Sequence, residues 1–209
     1  ATGCVDLVIA DDGLQHYAMA RAFEVCVVDA SAGLGNGRLL PAGPLRESAN
    51  RLTEVDIIAL RQAEPDRSGG RAGGALPPGV TGWPPGVARG DYRLQPEALV
   101  DIIDGGTLSL TSMSGSTVHA VAGIGRPERL FDALRAAGLH VIPHAFPDHH
   151  RYRAEELRFD DALPVITTDK DAVKLQRLGL PGRRIMALRM RVELSAELSA
   201  ALTKALQRS

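Results

Sequence analysis

Two short runs of carboxylates and imidazoles are the parts of this sequence best equipped for chemistry. Asp11 and Asp12 stand side by side in Asp-Asp-Gly-Leu-Gln-His. Adjacent carboxylates can hold Mg²⁺ directly or through water, and the same pair also fits a helix N-cap with a solvated neighbour. Asp148, His149 and His150 follow Phe146 and Pro147. An imidazole beside a carboxylate can serve as a general base, both groups can ligate a metal, and a loop histidine pair can equally be solvated without a role. Two further runs combine charge with backbone freedom. In residues 35–47, GNGRLLPAGPLRE, the glycines let backbone approach a ligand closely. There Arg46 can clamp a phosphate through two parallel hydrogen bonds, or pair with Glu47 or water. In residues 167–174, TTDKDAVK, Lys170 and Lys174 are two of only three lysines in the chain. That run also fits a capped helix with charges one turn apart.

These groups need elements to hold them. Residues 5–10 (VDLVIA), 23–29 (FEVCVVD) and 55–60 (VDIIAL) are short, apolar and rich in β-branched side chains. Such runs suit strands covered on both faces of a parallel sheet, and the first two close on carboxylates. The connection over residues 31–51 carries Gly33, Gly35, Gly37, Pro41, Gly43 and Pro44, too many breakers for a helix. It is predicted as a loop over the sheet's carboxyl edge, where open sheets bind ligands. Residues 62–90 contain eight glycines and five prolines, the composition of a linker or insertion. Short strands and a helical turn are expected over 91–110. A second α/β unit then reads as strand 118–123, turn 124–127, helix 128–137 closed by Gly138, and strand 140–142. Strand 164–168, a helix to about 178, strand 185–192 and an amphipathic helix over 195–206 complete it. The predicted class is α/β, two lobes joined by a linker, with divisions at residues 1–61, 62–116 and 117–209.

Composition narrows the function classes. Hydrophobic residues make up 44% and charged residues 23% of the 209, which is the balance of a folded soluble protein. A formal net charge of -1 provides no global field to draw in nucleic acid. Cys4 and Cys26 sit inside apolar runs as small hydrophobes, which points to a reducing compartment. No run approaches the length of a membrane-spanning helix, so a cytosolic or peripheral protein is expected. The first apolar run begins within a few residues of Ala1, the pattern expected of a truncated beginning that leaves an exposed apolar edge around residues 5–9.

Taken in order, DDGLQHY, GNGRLLPAGPLRE, VAGIGRPERLF with FPDHH, and TDKDAVK resemble the successive signature blocks of the tetraacyldisaccharide 4'-kinase family, over about residues 5–174. The resemblance implies two α/β/α lobes joined by a β-strand linker, the first of them P-loop NTPase-like. It also implies transfer of the γ-phosphoryl group of ATP to the 4'-hydroxyl of tetraacyldisaccharide 1-phosphate in lipid A biosynthesis, with Mg²⁺. That activity belongs peripherally on the cytoplasmic face of the bacterial inner membrane, with membrane contact through a segment ahead of this chain. By resemblance, Asp11 and Asp12 are the Walker B-like pair serving Mg²⁺, and Gln15 and His16 are the polar positions that follow. His149 matches the histidine that works with a catalytic aspartate, Asp148 stands beside it in the catalytic set, and Arg46 and Glu47 lie near the nucleotide. At Asp169 the family usually carries Glu.

One family feature is missing from the sequence. It contains no Gly-Lys dipeptide, and hence no Gly-Lys-Thr phosphate loop. Without that cradle the transferred phosphates lose most of their charge stabilisation, so the first lobe is expected to be incomplete and the chain alone inactive. Asp11, Asp12 and His149 are expected to act in one cleft between the lobes. Two rival readings stand beside this one. In a phosphoesterase, Asp11, Asp12 and the Asp148-His149-His150 run would hold two Mn²⁺ ions, a scheme that also needs His-x-x-Asp ligands near the first strand. In a non-catalytic binding module, the fold alone survives.

Overall fold

A computed structural model describes residues 7–62, 76–180 and 182–207. The chain divides into two compact units, residues 1–93 with 192–209, and residues 94–191.

In the first unit, β1 (Val25–Asp29), β2 (Ile57–Arg61) and the opening residues of β3 (Ala88–Asp101) run parallel. Ile57 lies opposite both Val25 and Ala88. Strand alternation sends Ile58 and Leu60 to one face, with Val28, Leu52, Val55 and Trp83. Ile57 and Ala59 go to the other, where they meet Leu198 of the final helix, α3 (Ala196–Leu206). Ser195 starts that helix, its hydroxyl accepting from the Leu198 amide. Gly90 explains how closely the helix lies: a Cβ there would stand 2.5 Å from the Leu198 nitrogen.

In the second unit the strand order is β3, β8, β7, β5, β6, with β4 (Thr107–Leu108) antiparallel on β3. Here β5 is Thr117–Ala122, β6 His140–Ala145, β7 Val165–Thr168 and β8 Ile185–Leu194. These four run parallel. Helix α1 (Glu128–Ala136) lays Leu130, Phe131 and Leu134 on Val118, Ala120 and Ala122. Helix α2 (Asp169–Gln176) puts Leu175 with Val121, Val165 and Ile185. The result is a sheet with a helix on each face. Gly138, at φ 86°, takes the left-handed turn that ends α1. From β5 the chain steps outward through α1 to β6, then returns past β5 to β7. The strand order therefore reverses between β5 and β7, and their carboxyl ends frame the crevice where open sheets bind ligands.

Three expectations need correction. Residues 7–10 form no strand: among the described residues nothing pairs with them, and Val8 and Ile9 are 79% and 84% exposed. An apolar run becomes a buried strand only between partners, so pattern alone did not suffice; Val5 and Asp6 lie outside the described residues. Residues 88–90, assigned to the linker, begin β3, which continues as one fourteen-residue strand where short pieces were expected. Residues 63–75 of that linker lie outside the described set. Residues 192–209 belong with the first unit and not with the second lobe, because the apolar stripe of α3 finds its partner on β2.

Candidate active site

In the first unit, Asp11 and Asp12 occupy a turn and not a strand end. The Asp12 amide donates to the Asp11 carboxylate at 3.1 Å, and Asp12 has a φ of 53°, a left-handed conformation that Asp tolerates better than most residues. Both carboxylates are exposed, as are Gln15 and His16 in the next turn, where the His16 amide donates to the Gly13 carbonyl. Arg21 braces this segment through the Gly13 and Leu14 carbonyls. Among the described residues no group of three or more His, Cys, Asp or Glu side chains is arranged to hold a metal ion. Two exposed carboxylates nevertheless fit Mg²⁺, which keeps most of its waters and needs only one or two protein oxygens.

The 35–47 loop is tied to itself. Asn36 donates to the Ala42 carbonyl and accepts from the Arg38 amide, while Leu45 donates to Arg38 and Leu40 to Leu45 along the backbone. A Cβ on Gly43 would fall 2.1 Å from the Asn36 side-chain oxygen. That glycine serves packing and not an open cradle. Glu47 pairs with Arg51 at 3.6 Å, not with Arg46, and hydrogen bonding to Glu47 raises the Tyr17 hydroxyl's pKa. Arg51 also binds Glu24 at 2.6 Å and Glu54 at 3.3 Å. Arg46 stays exposed, and no ion pair among the described residues engages it.

In the second unit the loops after β5, β6 and β7 come together at the carboxyl edge. Thr168 caps α2, its hydroxyl accepting from the Asp171 amide and donating to the Asp171 carboxylate. That carboxylate, wholly buried, also accepts from the Gly123 amide at 2.8 Å and from Lys174 at 2.8 Å. Helix α2 is thereby tied to the turn after β5. One residue earlier, Lys170 reaches the loop after β6 and donates to Asp148 at 3.1 Å. The two histidines of that loop differ sharply. His150 is held by Glu156 at 3.0 Å and stacks on Phe146, so it builds structure. His149 has a φ of 59°, its side chain is 77% exposed, and its Nε2 lies 3.7 Å from Asp148. It is the imidazole of the pair that can reach a solute. Lys170 leads the influences that hold the Asp148 carboxyl below its ordinary range. Reading TDKDAVK as a capped helix was right for Thr168 and Asp171. The reach of Lys170 to Asp148, the partnership of Asp171 with Gly123 and the nearby buried Tyr152 had no signal beyond residue type.

A cluster outside the motifs sits lower on β5 and β6. His119 bonds Asp161 through Nε2 at 3.0 Å and His144 through Nδ1 at 2.9 Å, with Phe159 stacked on both rings. Burial, and secondarily His119, hold the His144 pKa below 6.5. The folded chain then resists a proton that the unfolded chain accepts, so stability is level above about pH 6.5 and falls below it. The carboxylates Asp161 and Glu156, both held low, withdraw their support only in more acidic solution. Thermal melts between pH 7.5 and 5 should show this slope, and His144→Gln should flatten it; an unchanged slope would rule out His144 as its source.

The family model described as Tetraacyldisaccharide-1-P 4'-kinase matches residues 1–207. The tetraacyldisaccharide 4'-kinase of Pseudomonas aeruginosa (strain LESB58) is 47% identical over 171 residues, 81% of this chain and 46% of that protein. The protein of that name from Alkalilimnicola ehrlichii is 51% identical, covering 83% and 46%. That from Stenotrophomonas maltophilia is 41% identical over 99% of this chain and 57% of the relative. The chain thus spans about half the length of the curated relatives it matches. A crystal structure of LpxK from Aquifex aeolicus in complex with ATP shares the fold, with a TM-score of 0.65 at 23% identity over 93% of this chain and 56% of that one. With the α/β architecture and the ordered motif blocks already in place, the chain belongs to the tetraacyldisaccharide-1-P 4'-kinase family.

Proposed function

We propose that this chain supplies part of the catalytic apparatus of an ATP-dependent kinase that phosphorylates the 4'-hydroxyl of a tetraacylated glucosamine disaccharide 1-phosphate in lipid A biosynthesis. The observation that carries this reading is the family match over residues 1–207, nearly the whole chain. On this reading Asp11 and Asp12 hold Mg²⁺, which when bound neutralises charge on the phosphates of ATP. Gln15 and His16 extend the polar surface beside that pair. Arg46, which no ion pair among the described residues engages, grips phosphate oxygens, while Glu47 fixes the loop through Arg51. His149 accepts the proton of the 4'-hydroxyl, and its exposure suits a residue that must meet a substrate. Asp148 lies beside it, with Oδ2 3.7 Å from the ring Nε2. The lipid substrate places the work peripherally on the cytoplasmic face of the inner membrane; among the described residues no helix is long and apolar enough to cross it.

The test restores the phosphate loop. The N-terminal portion of a longer family member, carrying Gly-Lys-Thr and the catalytic aspartate, is fused ahead of Ala1. The chimera should transfer phosphate from Mg-ATP to the tetraacylated disaccharide, and the chain alone should not. Within the chimera, Asp12→Ala and His149→Ala should each lower the rate by about a hundredfold or more. A folded chimera without kinase activity defeats the proposal. Mn²⁺-dependent phosphodiester hydrolysis by the chain alone would put the phosphoesterase in its place.

A further inference from the structure

The carboxyl edge of the second unit contains one charged contact that neither capping nor core packing explains. Lys170 is the second residue of α2, and a lysine there lies at the wrong end of the helix dipole. Helix pairing does not account for it either, since Lys174, not Lys170, takes the Asp171 carboxylate. Lys170 instead crosses to a different loop, where its ammonium binds Asp148 Oδ1 at 3.1 Å. The same oxygen accepts the His149 amide at 3.0 Å, leaving Oδ2 toward the His149 ring, 3.7 Å away. From the turn after β5 the Gly125 backbone comes near: a Cβ there would lie 3.8 Å from Oδ2.

We propose that Lys170 is a positioning residue for the reaction: its ammonium pins Oδ1 of Asp148, which orients Oδ2 toward the His149 imidazole and holds that ring in its outward pose. Three features support this. The neighbouring Asp171 is bonded to Thr168, Gly123 and Lys174, so the helix turn that presents Lys170 is itself fixed against the sheet. His149 occupies a left-handed backbone conformation that a non-glycine residue keeps only when its surroundings hold it there. Lys170 from α2 and His149 from its own loop both face Asp148, while His150 is engaged by Glu156. With Lys170 in place Asp148 is ionised across the working pH range, and a carboxylate so held favours the imidazolium that proton abstraction creates. A lysine also tolerates replacement by arginine here, since the contact uses one oxygen and not a bidentate fork.

This inference rests on the kinase reading for its catalytic consequence but not for its geometry, and the experiment separates the two. Lys170→Met and Lys170→Arg are made in the chain and followed by NMR, with the Asp148 carboxyl and the His149 ring titrated individually. In the chain as it stands, Asp148 should titrate below the ordinary carboxylate range. Lys170→Met should return it to that range and change the chemical environment of the His149 ring, and Lys170→Arg should restore both. In the active chimera, Lys170→Met should reduce kcat by about tenfold to a hundredfold with little change in KM, and move the acid limb of the pH profile; Lys170→Arg should recover most of the rate. An unchanged Asp148 titration together with unchanged His149 ring resonances in Lys170→Met overturns the proposal. So does a fall in kcat with an unmoved pH profile, which would mark a merely structural lysine. A chimera with no kinase activity at all defeats the kinase reading, while the titrations still decide the role of Lys170.

Discussion

Asp171→Ala is expected to lower the stability of the chain by about 3–5 kcal/mol, the cost of breaking a buried, hydrogen-bonded ion pair from one side. The carboxylate is wholly buried, with the Gly123 amide and the Thr168 hydroxyl on Oδ2 and the Lys174 ammonium on Oδ1. Alanine strands all three donors. Asparagine keeps one acceptor oxygen but turns its amide toward either Lys174 or the Gly123 and Thr168 donors, so about 1–3 kcal/mol should be lost. Combining Asp171→Ala with Lys174→Met removes the stranded ammonium and should recover part of the loss. Burial alone would raise the Asp171 pKa, but hydrogen bonds from Lys174, Gly123 and Thr168 outweigh it and hold the group below 3.8. Its support is therefore complete above the ordinary carboxylate range and lost as pH falls through the folded value. Urea unfolding at pH 7 measures all of this. A loss under about 1 kcal/mol for Asp171→Ala would mean that the site is far better hydrated than its burial indicates.

The second large effect belongs to the other unit. Leu198→Ala should cost about 2–5 kcal/mol, because this side chain is buried against Ile57 and Ala59 and its loss leaves a cavity under α3. Gly90→Ala should act in the same direction from the opposite side of the contact, by about 1–3 kcal/mol. Its new methyl would stand 2.5 Å from the Leu198 nitrogen and 2.7 Å from its Cα, backbone atoms that can yield only if the helix moves. Trp83, the one tryptophan of the chain, packs in the same unit and supplies the fluorescence signal. If the Trp83 transition keeps its midpoint in Leu198→Ala, α3 is not a stabilising part of this unit.

The second unit was legible in the sequence almost element by element. Its crossover from β5 through α1 to β6 is local, so apolar periodicity and a glycine stop define it without distant partners. Reading failed where the partner lies far along the chain. Asp171 meets Gly123 across 48 positions, and Lys170 meets Asp148 across 22. Periodicity showed that α3 has an apolar face but not that β2 receives it. Residues 7–10 carry a strand pattern, but among the described residues no strand pairs with them, and the pairing decides. The acidic pair was recognisable by type, but not its seat in a turn. Of the two adjacent histidines, sequence could not say which one is spoken for; Glu156, six residues on, occupies His150 and leaves His149 outward.

Strands β3 and β8 each pass from one unit into the other, so residues 94–191 form a single uninterrupted stretch, entered once and left once, within the chain of the first unit. During synthesis, every residue of that stretch is made before Leu198 exists to cover Ile57 and Ala59. The second unit, whose crossover contacts are local, is therefore free to form first. The nascent first unit must wait with one face of β2 bare until the last helix is made. A ribosome stalled after residue 191 would display that apolar face, and with it a site for chaperone capture that the finished chain conceals.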